Sequence, residues 1–121
     1  MPILPFSIVL IIAYIYILYR ASYSIPSILS ANTGHLDLIY SLNSSRGCYP
    51  IWHQTPVSDE LDILVGWGET LVEDILQTLE QVYQNPHEAK IRGEYGAAVM
   101  RSKWTWRSRL KEFFGMLENY L

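Results

Sequence analysis

The chain has 121 residues and a mass of 14.0 kDa, enough for one hydrophobic core and too little for the two-domain machinery of many enzymes. Its net charge of -3 conceals a segregation: Arg20 is the only formally charged side chain before Asp37, acids dominate from Asp37 to Glu80, and seven bases from Lys90 to Lys111 make the C-terminal part basic. Cys48 is the only cysteine, which excludes an intramolecular disulfide and suits a reducing compartment.

Residues 1–20 form an apolar segment without charge until Arg20. The run Ile3 to Tyr19 is just long enough for a membrane helix, with Pro2 and Pro5 near its start and tyrosines at its interfacial end. Arg20 and the later bases would then leave the C-terminal side on the cytoplasmic face of the membrane. The alternative is one or two buried parallel strands, because Ala13 to Tyr19 alternates Tyr with Ile and Leu, and the protein is then cytoplasmic. A secretory signal fits worse, since no basic residue precedes the apolar core.

Residues 21–32, serine-rich and broken by Pro26, read as a linker with a short strand at Tyr23 to Ile25. Beyond Gly34-His35, the residues Leu36, Ile39, Tyr40 and Leu42 recur at helical spacing, and Asn43 to Gly47 ends the helix. Cys48 to Trp52 is short, apolar and bounded by turn residues, as a buried strand would be. A helix followed at once by a buried strand is half of a βαβ unit, so the expected host is an open α/β sheet. Ligands in such sheets sit beyond the carboxyl ends of the strands, here His53 to Pro56.

Ser58 to Val65 carries three acids and an apolar group, and suits a short helix or an edge strand equally. Gly66-Trp67-Gly68 marks a turn. Thr70 and Glu73 have the spacing of a capping box, and Leu71, Val72, Ile75, Leu76, Leu79, Val82 and Tyr83 fall on one face of the helix that follows, as for a surface helix covering a core. Asn85-Pro86 stops that helix and starts the next, with Asn85 as N-cap and Pro86 in first position. Gly93 and Gly96 in that second helix permit close packing at some cost in helix stability. Thr105 caps a last helix whose stripe is Trp106, Leu110, Phe113, Phe114, Leu117 and Tyr120.

Among residues that carry chemistry, Cys48, His35, His53 and His87 match no zinc spacing, so no metal site is expected. Cys48 and His53 lie close enough in sequence to meet at a strand end, but no orienting acid is evident and a buried structural cysteine is the commoner outcome. The Gly66 turn lacks the further glycine and preceding strand of a phosphate-cradling loop. Trp104-Thr105-Trp106 among Arg101, Lys103, Arg107 and Arg109 has the look of a nucleic-acid patch. A helix-docking corner with its tryptophans in the core accounts for it better, so no nucleic acid is expected.

Taken in order, these segments resemble the C-terminal half of the nucleotide-sugar-binding domain of GT-B fold glycosyltransferases, particularly the retaining family 4 type. The pattern runs through Thr33-Gly34, Leu36 to Leu42, Gly47-Cys48-Tyr49-Pro50-Ile51, Glu60, Gly66-Trp67-Gly68, Thr70 to Tyr83, Asn85-Pro86, Gly93 to Ala98 and Trp104-Thr105-Trp106. The resemblance implies a partial Rossmann-like α/β half-domain over residues 33–121, with a small parallel sheet, three C-terminal helices and an N-terminal apolar helix. It implies a nucleotide sugar as donor substrate, no further cofactor, and a donor approaching Thr33, Gly34, His35 and Pro56, where loop amides at a helix start favour an anionic group. The family's paired glutamates fall near Asn32 and Tyr40, and its acceptor domain has no counterpart. The chain is therefore expected to be incomplete as an enzyme, with unknown catalytic residues and a partner domain or chain supplying the missing half. The alternative is a small single-pass membrane protein whose soluble helices bind a protein partner.

Overall fold

The computed structural model describes Ile12, Ile15, Tyr16, residues 23–57 and residues 66–121. The alternatives for residues 3–19 and for Ser58 to Val65 fall outside these positions, apart from the three isolated N-terminal ones. Among the described residues, no helix is long and apolar enough to cross a membrane.

The chain is α/β: four α-helices and two small sheets make up its regular structure among the described residues. Strand β1, Ile28–Ser30, leads through a turn into helix α1, His35–Ser41, and a 3-10 turn at Ser44–Arg46 returns the chain to strand β2, Tyr49–Ile51. The strands pair in parallel, with Leu29 opposite Pro50. This is the βαβ crossover of which the sequence shows the second half, since parallel neighbours need a connection that reverses direction twice. Asn43 and Ser44 make the reversal after α1 with φ of 56° and 53°, in the left-handed region that a short polar side chain at Asn43 tolerates. Strands β3, Thr55–Pro56, and β4, Gly68–Glu69, form a second, antiparallel pair. Three C-terminal helices follow: α2 at Val72–Gln84, α3 at Pro86–Lys103 and α4 at Trp106–Glu118.

The core gathers Leu29 from β1, Leu38, Ile39 and Leu42 from α1 and its end, Cys48 before β2, and Val99 and Met100 from α3. Helix α3 reaches it with a face of small residues, Ala89, Gly93, Gly96 and Ala97. A Cβ on Gly96 would stand 2.9 Å from the Gly47 carbonyl oxygen, and one on Gly93 would overlap the Ser24 carbonyl. The close packing expected of these two glycines is thus present, against the turn before β1 and the loop before β2.

Several expectations need correction. The strand expected at Tyr23 to Ile25 lies instead at Ile28–Ser30, because Ser24 has φ of 62° and Pro26 follows, so the chain turns there and extends only afterwards. Trp52 ends the buried run early: it is 52% exposed and stands beside Tyr40, with ring centroids 6.3 Å apart. Tyr40 is likewise outside the core, and Leu38 fills the place expected of it. Thr70 forms no capping box, because its hydroxyl exchanges hydrogen bonds with Gln54 and the N-cap position falls to Leu71. Asn85 does hold the N-cap position of α3, with Pro86 first in the helix, but its side chain makes no cap bond there and donates back to the Gln81 carbonyl at 3.0 Å. Trp104 packs on the core, but Trp106 is 84% exposed. The apolar stripes of α2 and α4 leave no residue buried.

Candidate functional site

Residues that follow the two parallel strands come together at one end of the sheet. Ala31 extends β1 by donating to the Ile51 carbonyl at 2.9 Å, and Asn32 begins the turn into α1. After β2, the Gln54 side-chain amide donates to the Ile51 carbonyl at 3.0 Å and pairs with Thr70. The antiparallel pair closes over this end: Thr55 and Pro56 lie opposite Glu69 and Gly68, and the Val57 amide donates to the Trp67 carbonyl at 3.0 Å. Gly66 makes the bend into β4 with φ of 84°, which only glycine adopts readily. Gly68 then passes close over Gln54, where a Cβ would stand 2.7 Å from the Gln54 Cβ. The Asn32 side-chain amide donates to the Gly68 carbonyl and ties β4 to the end of β1.

Between these pieces is a cleft of about 250 Å³, lined by Ala31, Asn32, Gln54, Pro56, Val57, Gly66, Trp67 and Gly68. Among the described residues, no lining side chain carries a charge. Its polar equipment is the amides of Asn32 and Gln54 and the surrounding backbone. Ligand pockets for whole small molecules run to about 300–1,000 Å³, so this cleft suits one ring of a ligand.

No family model, curated protein or solved structure matches this chain. The site is therefore argued from its own geometry.

Of the residues the sequence singles out, Pro56 lines the cleft, while Thr33 and Gly34 occupy the adjoining turn from β1 to α1 and His35 opens α1. Thr33 has φ of 47°, a strained conformation for a β-branched residue. His35 Nδ1 shares a hydrogen bond of 3.2 Å with the Ser30 hydroxyl. Of the loop amides expected to meet an anion, those of His35 and Leu36 already donate to the Asn32 and Thr33 carbonyls, each at 3.1 Å. Gln54 and Trp67 sit in the stretches that the sequence shows as strand end and turn. That these two stretches face each other is a tertiary fact with no local signal.

Cys48 and His53 do not form a pair. Cys48 is fully buried, its thiol donates to the Ser44 carbonyl at 3.3 Å, and burial pushes its pKa up to about 11, against a smaller opposing pull from Arg92. A thiol so disposed is a structural one. His53 is exposed and donates from Nδ1 to Asp74 Oδ2 at 2.8 Å. That acid is 21 residues away on α2, and so had no signature in the local sequence. Among the described residues no group of three or more His, Cys, Asp or Glu side chains converges as a metal site would require.

A second hollow, about 380 Å³, lies between Ile15 and the corner from α3 to α4, with Trp104, Thr105, Trp106 and Arg109 around it. Several of its polar groups are already engaged. The Thr105 hydroxyl accepts from the Ser108 amide at 3.2 Å as the α4 cap, and Arg109 stands 4.3 Å over the Trp104 ring and pairs with Glu112 at 2.7 Å. Among the described residues it is a largely apolar seam, in which Arg109 Nε is buried without a hydrogen-bond partner.

Proposed function

We propose that this chain is a Rossmann-like half-domain of the nucleotide-sugar-binding kind, which holds one ring of a nucleotide sugar in the cleft between Asn32, Gln54 and Trp67. The observation that carries the reading is topological: the cleft lies beyond the carboxyl ends of both parallel strands of a βαβ unit, where ligands bind in open α/β sheets. The strained turn at Thr33 borders it, and the resemblance to the glycosyltransferase pattern supplies the ligand class. The cleft's size and the lack of charge among its described lining residues set the limit. A diphosphate needs basic side chains or open amides, and the lining offers no basic group. The chain therefore binds one end of the donor, and glycosyl transfer requires a second half that brings the diphosphate contacts and the acceptor.

Titration calorimetry of the full chain with a panel of UDP-, GDP- and ADP-linked sugars tests this. Saturable heat is expected for at least one donor, with affinity falling about tenfold in Gln54→Leu, the loss that goes with one hydrogen bond of about 1.4 kcal/mol. Flat titrations across the panel would remove the binding claim.

A further inference from the structure

Helices α2 and α4 both turn apolar side chains outward. On α2 these include Val72, Leu76, Leu79 and Tyr83, and on α4 Leu110, Phe113, Phe114 and Leu117, all exposed. Side chains of this size in continuous stripes mark a surface that is covered in the working molecule. The two stripes differ in charge. Helix α2 carries Glu73, Asp74 and Glu80 and no base. The stretch from the last turn of α3 through α4 carries Arg101, Lys103, Arg107, Arg109 and Lys111 against only Glu112 and Glu118. Glu73 and Glu80, seven residues apart, follow one edge of the α2 stripe, and Arg107 and Lys111, four apart, follow one edge of the α4 stripe.

We propose that α4 of one copy docks along α2 of a second copy, stripe against stripe, with Arg107 and Lys111 facing Glu73 and Glu80. Two such contacts related by a two-fold axis close a dimer. Charge decides among the pairings. Laying α4 on α4 sets bases against bases and α2 on α2 sets acids against acids, each penalised as like-charge contact, and only the mixed pairing is complementary. An anionic lipid surface would accept α4 but repel α2, leaving the second stripe bare, whereas the mixed contact covers both. None of the cleft-lining residues belongs to either helix, so the proposal stands or falls separately from sugar binding.

The test is sedimentation equilibrium of the full chain over a dilution series. A species of twice 14.0 kDa is expected, dissociating more readily at high salt because its charged rim is screened. Leu76→Glu/Leu79→Glu disables α2, and Phe113→Glu/Leu117→Glu disables α4; each variant alone should lose the dimer. An equal mixture should regain one, weaker than wild type, through the intact α2 of one variant and the intact α4 of the other. A wild-type chain that stays monomeric, an α2 variant that still dimerises alone, or a mixture that stays monomeric would each overturn the proposal. So would a monomer that pellets with vesicles of phosphatidylserine and phosphatidylcholine, which would assign α4 to a lipid surface. Surface charge reversal provides a second arm that leaves the apolar residues alone. Glu73→Lys/Glu80→Lys and Arg107→Glu/Lys111→Glu should each weaken the dimer, and the two together in one chain should restore it. Absence of restoration would also overturn the proposed register.

Discussion

At the scale of single residues, the centre of the molecule is the contact between Arg92 of α3 and the start of β2. The Arg92 guanidinium lies 4.0 Å over the Tyr49 ring, donates to the Cys48 carbonyl at 3.1 Å, and donates from Nε to Glu88 Oε1 at 3.0 Å. It thereby joins α3 to β2 at the buried residues Cys48, just before the strand, and Tyr49, its first residue. Truncation would leave the Cys48 carbonyl without this donor and the aromatic face without its cation, whereas Glu88, half exposed, would return to water. We expect Arg92→Ala to destabilise by about 2–3 kcal/mol, and Arg92→Lys to recover only part of that, since an ammonium lacks the planar fork. Urea denaturation of the three proteins measures it. Cys48 gives a pH prediction. Its thiol is protonated in both states below about pH 9; above that the unfolded chain releases a proton which the folded chain keeps until about pH 11. Stability is therefore whole below pH 9 and falls through pH 9–11, by on the order of 2–3 kcal/mol for the shift involved. In Cys48→Ala the fall over that window should be shallower, read as denaturation midpoints at about pH 8 and about pH 11. An equal fall in both proteins would show that the thiol is not responsible.

At the scale of elements, α3 is the helix on which the others depend, and it was legible for an unusual reason. Its sequence shows no strong apolar stripe, but Gly93 and Gly96 in mid-helix are costly unless a neighbour comes close, and neighbours do come close at Ser24 and Gly47. The consequence can be measured by two changes of identical chemistry. Gly93→Ala places a methyl into the Ser24 carbonyl and should cost about 2–3 kcal/mol or more, since backbone cannot move aside cheaply. Gly115→Ala, in the interior of α4 with nothing within 4 Å of the new methyl, should stabilise by about 0.5–1 kcal/mol through helix propensity alone. Thermal melts of the pair are expected to move in opposite directions. Strand β2 and helix α1 were legible from apolar runs with clean stops. Strand β1 was not, because three residues between a proline turn and a polar loop leave no periodicity to read. Capping spacing misleads where a side chain has a stronger tertiary use: Thr70 is taken by Gln54, a residue 16 positions earlier that no local pattern connects to it. The strand-end rule points to His53 to Pro56, of which Gln54 and Pro56 line the cleft, whereas the opposite wall depends on β4 folding back over Gln54.

At the scale of the whole molecule, amphipathic pattern and burial part company. The stripes on α2 and α4 are as regular as any in the chain, yet the core is built from α1, β1, the start of β2 and the small-residue face of α3. A periodic stripe states that a face is to be covered and leaves open by what. Among the described residues the two parallel strands offer too little sheet to cover every helix, so stability is distributed unevenly. Amides of α3 from Gly93 to Met100, packed on the core, should exchange with solvent only on global unfolding. Amides of α4, anchored through its corner with α3 and the Trp104–Arg109 stack, should exchange at least about a hundredfold faster in the dilute chain, as expected for a helix that opens by itself. Hydrogen exchange read by mass spectrometry separates the two helices directly. Repeating it at rising protein concentration adds the decisive comparison: if α4 docks on the α2 of a second copy, protection should grow in α2 and α4 together while α3 stays unchanged. Protection that grew in α4 alone would mean that its stripe meets something other than α2.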